Sequence, residues 1–449
     1  MKDLTAGNIR KHILVFSWPL LVSNVLQLVN LTLNRIWAGK FLGDNALGAL
    51  SIAAVILVVI SSFSMGLTIG TGTVISQYFG AHKTEQLKKA ASSAFLLLGV
   101  CAILATAAIL LFGEWLLRLM HTPEEILTLT NTYLSITSIG FFFLFIQVLV
   151  GFMFFAIGDS LTPLIYAGVS VCVNAVLDPF LMLGIFPFPR LEVTGAAYSY
   201  LISLFVGFVV ALYLYQKKAH VLHTSLKDIF RPDWGVTKQI LRLGMSSGGK
   251  NVATSSGVLV VQVFVNQYGA GPVAAYGAVT SVTNLVLYVS WAIGAGVSVV
   301  AGQNMGAHSV DRVKQGLAEG LKICLLYTSV IVVASLLFPR GIMLCFLSSD
   351  AHATIACGAE LLRIVAIPLF FLVLMNILDS FFSGVGANFA GMIIAVMGIW
   401  AWRVAGIFVF RHFFGLEGVW YGLAVSYVLA GATAYVYYLS GRWKNKGIV

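Results

Sequence analysis

The sequence predicts an all-α polytopic membrane protein, with twelve transmembrane helices in two six-helix bundles related by an internal repeat. Three observations carry that prediction. Apolar runs of twenty or more residues recur from Ile13 to Leu439, and a helix of that length crosses a hydrocarbon layer of ~30 Å. Of the 449 residues, 59% are apolar and only 10% charged, well under half the charge of a soluble domain. Polar landmarks also recur at a fixed distance along the chain. The runs are continuously apolar instead of alternating, which excludes a transmembrane β-barrel.

The spans read as 13–38, 47–78, 90–112, 127–156, 161–184, 194–216, 237–267, 271–302, 316–338, 355–383, 388–410 and 416–440. The first residues, MKDLTAGNIRKHILVFSWPLLV, read as a charged cap on the first span. No cleavage site follows a short apolar core, so no signal peptide is expected. Basic residues cluster in alternate loops. Lys2, Arg10, Lys11, Lys83, Lys88, Lys89, the run from Lys217 to Arg242, Arg312, Lys314, Arg442, Lys444 and Lys446 fall on one side. The other side holds Arg35, Lys40, Arg118, Arg190, Arg340 and Arg411. The bias places both termini in the cytoplasm of a bacterial or archaeal plasma membrane. It also accounts for the net charge of +10 without nucleic acid as a partner.

The longest polar segment divides the chain into residues 1–216, a cytoplasmic link at 217–238, and residues 239–449. The halves repeat. WAGKFLGDNALGALSI (37–52) and GTVISQYFGAH (72–82) are echoed by FVNQYGAGPVAAYGAV (264–279) and GVSVVAGQNMGAH (296–308). Gly80 and Gly306 open the GAH tripeptides at an offset of 226, and Gly43 and Gly269 keep the same offset. AIGDS (156–160) has a weaker counterpart in GVGAN (384–388). Repeated halves on one polypeptide are the pattern of a secondary transporter. Many of the 44 glycines sit inside spans, where small residues let helices approach closely. Pro19 and Pro368 should bend their helices. The five cysteines are isolated and read as packing residues.

Ionisable residues inside such runs are expensive, so each is a candidate site. Asn174 and Asp178 lie one turn apart on one face of the fifth span. Asp178, partly desolvated, can take up a proton. With Asn174 and nearby carbonyls it can equally offer oxygens to Na+. The alternative is a helix-end carboxylate near the interface. Lys250, a dozen residues past Lys238, should reach mid-membrane and must face a cavity, meet a carboxylate, lose its proton or snorkel outward. Asp379 has Asn376 a turn behind it. Asn34 and Arg35 end the first span, and Gln27, Gln147 and Gln262 are neutral members. Arg403 suits an ion pair or carbonyl clamp better than a substrate contact. Asp159, with Ser160, should cap the helix that has Pro163 in its first turn. No metalloprotease motif, nucleotide loop or Ser/His/acid arrangement is present, so neither an enzyme nor a cofactor is expected.

These segments resemble the multidrug and toxic compound extrusion family, within the larger group that includes lipid-linked oligosaccharide flippases. The likeness covers essentially the whole chain. It rests on IWAGKFLGDNALGALS (36–51), FAIGDSLTPLI (155–165), NAVLDP (174–179), VTGAAYSYLIS (193–203), AAYGAV (274–279), AGQNMGAH (301–308) and GLEGVWYGLAVSY (415–427). The resemblance implies two bundles in a V shape, alternating access, and export of organic cations against inward H+ or Na+. Asn174 and Asp178 match the fifth-helix pair used for coupling in one branch. Asn34 stands where that branch has a first-helix aspartate. The seventh-helix acid of another branch falls near Thr254, and its tenth-helix acid near Leu372.

Three familiar acids are therefore missing and two bases, Arg35 and Lys250, are new. The expected function is secondary active efflux of small amphipathic compounds by a monomer in the lipid bilayer. Asp178, Asn174 and Asn34 would couple the ion. Asn34, Arg35, Lys250, Thr254, Gln262, Asn376, Asp379 and Arg403 would line the substrate cavity between the bundles. The alternative is a flippase or exporter of a lipid-linked, anionic or zwitterionic metabolite, since arginine and lysine serve acid groups.

Overall fold

Each predicted span is helical in the computed structural model, which describes residues 2–185 and 189–449; the side chains of Leu31, Arg35, Ala38 and Leu226 lie outside the described ones. In chain order the helices are α1 (Ile9–Phe41), α2 (Asp44–Gly80), α3 (Thr84–Leu119), α4 (Glu124–Ile139), α5 (Phe141–Ala156), α6 (Leu161–Leu183) and α7 (Glu192–Lys218). The short α8 (Leu226–Ile229) lies in the polar link. Then come α9 (Trp234–Asn266), α10 (Ala270–Gly306), α11 (Val310–Leu337), the short α12 (Pro339–Leu344), α13 (His352–Ala366), α14 (Leu369–Gly384), α15 (Asn388–Val396) and α16 (Ala405–Leu439). A π-helical turn, Met397–Val404, joins the last two.

Among the described residues eight helices are long and apolar enough to cross a membrane, and two bent pairs raise the number to ten. One of the eight, Asn388–Leu439, has 52 residues. At a length of ~78 Å it exceeds two hydrocarbon layers. It breaks at Gly415 (φ 58°, ψ −125°), and so supplies two spans. The 33-residue α9, whose apolar sequence is diluted by Lys238, Arg242 and Lys250, completes the twelve.

The bends have separate causes. α13 and α14 meet at 54° beside Pro368, as expected from its missing backbone donor. α4 and α5 meet at 47° around Gly140, a break that the single span at 127–156 did not anticipate. There a Cβ would stand 2.9 Å from Leu204 Cδ1 and 3.0 Å from Thr137 O. A glycine inside an apolar run gives no separate warning of such a turn.

The chain forms two compact units, Met1–Asp3 with Trp18–Met245 and Leu4–Ser17 with Ser246–Val449. In the first, α2 packs on α3, α4 and α5, α3 on α5, both α4 and α5 on α7, and α6 on α7. In the second, α10 packs on α11, α13 and α14, α11 on α14, both α13 and α14 on α16, and α15 with its π turn on α16. The two schemes correspond helix for helix. Backbone outliers repeat with them: Gly43 (φ 84°) and Gly269 (φ 94°) open α2 and α10, and His82 (φ 55°) and His308 (φ 56°) follow those helices. Histidine is uncommon at positive φ, so a pair 226 residues apart marks a true structural repeat.

Glycines set the closest helix crossings. In the first unit a Cβ on Gly70 of α2 would lie 2.6 Å from Gly244 N of α9. In the second, Gly296 of α10, offset from Gly70 by the same 226 residues, faces Ser17 Oγ at 3.2 Å and Ile13 Cα at 3.5 Å in α1. Gly70→Val should therefore cost at least ~1–3 kcal/mol through overpacking. The expected result is a lower melting midpoint and folded yield in detergent, with Gly296→Ala milder; equal midpoints for Gly70→Val and the parent would refute the tight crossing. Outward faces carry exposed Leu104, Leu111, Leu259 and Leu326, as lipid contact requires. Of the cysteines, Cys324 is buried in α11 as expected, whereas Cys172 and Cys345 are exposed and do not fill the core.

Candidate functional site

The best-defined polar cluster is built on α6. Asp159 starts that helix, its Oδ1 accepting from Leu161 N and Thr162 N, each at 3.0 Å, and its Oδ2 from Thr162 Oγ1 at 2.7 Å. Ser160, expected to share the capping, makes no side-chain cap bond. α6 continues through Pro179 to Leu183 and ends at Gly184 in the left-handed conformation (φ 71°). Asp178 therefore precedes the helix end by more than a turn and is 1% exposed. The helix-end reading is excluded.

Close packing of α6 on α7 brings in a residue that sequence reasoning missed. A Cβ on Gly195 would stand 2.5 Å from Leu181 O, and one on Gly207 1.9 Å from Ser170 Oγ. Between these glycines Ser199 meets α6. Asn174 Nδ2 donates to Ser199 Oγ (2.9 Å) and to Asp178 Oδ1 (3.1 Å), and Ser199 Oγ donates to Asn174 O (3.3 Å). The available signal was the four-residue spacing of Gly195, Ser199, Ser203 and Gly207, a small-residue face that draws helices together in lipid.

Asn34 of α1 completes the cluster from a third helix. Which end of its amide is nitrogen is an assignment made from the partners it satisfies, and each assignment bonds it within the cluster. In one, Asn34 Nδ2 donates to Asn174 Oδ1 at 3.2 Å. In the other, the nitrogen donates to Asp178 Oδ2 and to Asn30 O (3.3 Å), and the oxygen faces Asn174 Oδ1 at 3.2 Å. The second suits an ionised Asp178, which only accepts. The first suits a protonated Asp178, whose O–H can donate to Asn34 Oδ1. With that proton, Asp178, Asn34 and Asn174 form a closed ring of three hydrogen bonds.

The remaining candidates do not join this cluster. Lys250 and Asp379 meet in the second unit, Nζ to Oδ2 at 2.7 Å, with side chains 10% and 24% exposed. The lysine has thus found a carboxylate instead of snorkelling. Ser247 and Lys250 lie on the packed face of α9, while Thr254 is exposed and donates only back to Lys250 O (2.9 Å). Asn376 accepts from Trp291 Nε1 at 3.1 Å. Gln262 is tied to Asn266 along α9 at 2.7 Å.

Arg403, in the π turn, makes neither the ion pair nor the carbonyl clamp expected of it among the described residues. Its Nε donates to Ser426 Oγ (3.3 Å) and its guanidinium lies 5.6 Å from the Tyr427 ring centre. The wider i→i+5 winding of this stretch rotates the side chains relative to an α-helix, and that of Arg403 meets the hydroxyl and ring on α16. Arg35 falls outside the described side chains. No group of three or more His, Cys, Asp or Glu suited to a metal ion occurs among the described residues.

The MatE family model matches residues 19–180 and 247–408, most of the chain. The chain belongs to the MatE family. The two matched blocks reproduce the internal repeat. Among curated relatives it is similar to the "Probable multidrug resistance protein YpnP" of Bacillus subtilis (strain 168), 30% identical over 443 residues, 98% of this chain and 97% of that one. The "Probable multidrug resistance protein YoeA" of the same organism is also 30% identical, over 97% of this chain and 94% of its own. The fold is that of a crystal structure of MATE in the bent conformation, with a TM-score of 0.90 at 21% identity, covering 98% of this chain and 96% of that one. The resemblance to the multidrug and toxic compound extrusion transporters is therefore borne out, and MatE membership makes this chain a transporter instead of an enzyme.

Proposed function

We propose that this MatE protein exports small amphipathic organic cations by antiport, with Asp178 as the coupling carboxylate. The carrying observation is the buried Asp178 carboxylate, which accepts from Asn174 Nδ2 at 3.1 Å and has the Asn34 amide of a third helix beside it. A proton on Asp178 closes the three-membered ring with Asn34 and Asn174, and its loss turns the Asn34 amide and ties α1 to α6 through different atoms. Ion occupancy thereby biases the packing of the first unit, and substrate affinity follows that bias. Asn174 and Ser199 act as positioning groups.

Sodium is the second reading. In the turned orientation Asn34 Oδ1 and Asn174 Oδ1 face each other at 3.2 Å beside Asp178, an oxygen set that a small hard cation would relieve. In this proposal both termini and the 217–238 link lie in the cytoplasm, and the monomer carries all the machinery. The flippase alternative needs a positive cavity centred on Lys250, Arg35 and Arg403. Lys250 is neutralised by Asp379 and so adds no net charge to such a cavity, whereas Arg403 keeps its charge beside Ser426 and Tyr427.

Proteoliposomes test the reading. A cationic dye should be driven by an imposed proton gradient, and an anionic dye should not. A response to sodium alone would transfer the coupling to the second reading. If neither gradient moves the cation, the assignment is wrong.

A further inference from the structure

Phe230 and Trp234 are 75% and 76% exposed, and no large apolar side chain among the described residues is more exposed than Trp234. Both belong to the stretch that leads from α7 into α9, Phe230 within the polar link and Trp234 as the first residue of α9. Two aromatic rings displayed on an otherwise polar, charged segment mark an interaction surface.

The link is folded, so the rings are held out by a fixed scaffold. Ala219 and Leu222 are buried, and Tyr215 OH donates to Leu222 O. α8 opens with a capping box, in which Ser225 Oγ accepts from Asp228 N at 3.3 Å and Asp228 Oδ2 accepts from Ser225 N at 3.0 Å. Asp233 then caps α9 by accepting from Val236 N at 3.1 Å, while its own N–H donates to Ser93 Oγ of α3, also at 3.1 Å. Phe230 follows the first of these anchors and Trp234 the second.

The surroundings of the rings are basic. From Lys217 to Arg242 the chain has six basic and two acidic residues. Both acids are already engaged within the protein: Asp228 by Ser225, and Asp233 by Val236 N and by Lys89 of α3 at 3.4 Å. Lys227 and Arg231, exposed on either side of Phe230, form no ion pair among the described residues. Their charge is therefore available to something outside the chain.

The length of α9 fixes the depth of this surface. Its 33 residues span ~50 Å, against ~40–45 Å for a bilayer with its headgroups. A helix of that length sets its first residue, Trp234, at the level of the headgroups, where tryptophan is favoured. The last turn of α7, with Lys217 and Lys218, returns to the same face.

We propose that the link is a docking surface for anionic phospholipid, with Phe230 and Trp234 entering the interfacial region and Lys227 and Arg231 holding headgroup phosphates. A lipid surface is the occupant that uses rings and bases together: its phosphates meet the charges, and the boundary of its acyl chains takes the aromatic faces. In the topology proposed above this is the cytoplasmic leaflet. The inference needs the link at one bilayer face and draws on neither the coupling ion nor the substrate.

The test places the full chain in nanodiscs of phosphatidylcholine and phosphatidylglycerol, with one of the two lipids brominated in its acyl chains. Bromine quenches nearby indoles, and Trp234, one of nine tryptophans, is read as the difference between the parent and Trp234→Phe. Its signal should be quenched, with phosphatidylglycerol enriched about tenfold over phosphatidylcholine around it, a preference that fades as salt is raised. Lys227→Gln/Arg231→Gln changes two exposed side chains and should keep the parent's melting midpoint and its quenching by phosphatidylcholine, yet lose most of the preference. Lys227→Arg/Arg231→Lys should retain it. A Trp234 signal untouched by either brominated lipid would put the ring in water or under a protein partner and overturn the docking. Equal quenching by the two lipids in the parent, or a preference undiminished in Lys227→Gln/Arg231→Gln, would overturn the recognition of anionic headgroups by these bases. Each of those results leaves the coupling role of Asp178 standing.

Discussion

Asp178→Asn should abolish gradient-driven efflux while leaving the protein inserted and folded. An asparagine at 178 is nearly the shape of a protonated aspartic acid. Its amide can donate to Asn34 Oδ1, and its oxygen can accept from Asn174 Nδ2, which in the native chain reaches Asp178 Oδ1 at 3.1 Å. The variant therefore holds the closed ring permanently and cannot be switched by an ion. Dye efflux from proteoliposomes under an imposed gradient should fall to the level of empty vesicles, with an unchanged melting midpoint. Asp178→Ala differs in kind. It leaves buried amides without partners, at a cost of ~1–3 kcal/mol, so it should lower stability as well as transport. Full efflux by Asp178→Asn would remove Asp178 from the coupling step.

Lys250→Met should be among the most destabilising single changes in the second unit. The lysine and Asp379 are mostly buried and meet at 2.7 Å, so removing the ammonium leaves an uncompensated carboxylate among apolar side chains. Breaking a buried pair in this way costs roughly 3–5 kcal/mol, whereas replacing both partners with apolar residues is often nearly neutral. Thermal unfolding in detergent should show a large drop for Lys250→Met and recovery of most of it in the Lys250→Met/Asp379→Leu double variant. Equal losses in single and double variants would mean that the pair is not a coupled unit.

The two clusters differ in what makes them usable. At Asp178 the α6 cluster holds one titratable carboxylate, and the partners around it, Asn34, Asn174 and Ser199, are neutral. At Asp379 the counter-charge is built in.

The membrane spans, the repeat and the costly carboxylate were all legible in the sequence. Hydropathy acts on each segment through its own residues, so the spans follow from composition, and repeated landmarks such as the GAH tripeptides survive as strings. Asp178 stood out because a charge in a hydrophobic helix needs an explanation whatever its neighbours. The bend at Gly140, the joining of Lys250 to Asp379 across 129 residues and the arrival of Ser199 at Asn174 were decided only by tertiary structure. Those contacts depend on how glycine-lined helices cross and rotate against one another, information spread over both partners and present in neither helix alone. The sequence determined which groups could not be left unpaired in the membrane, and the packing chose their partners.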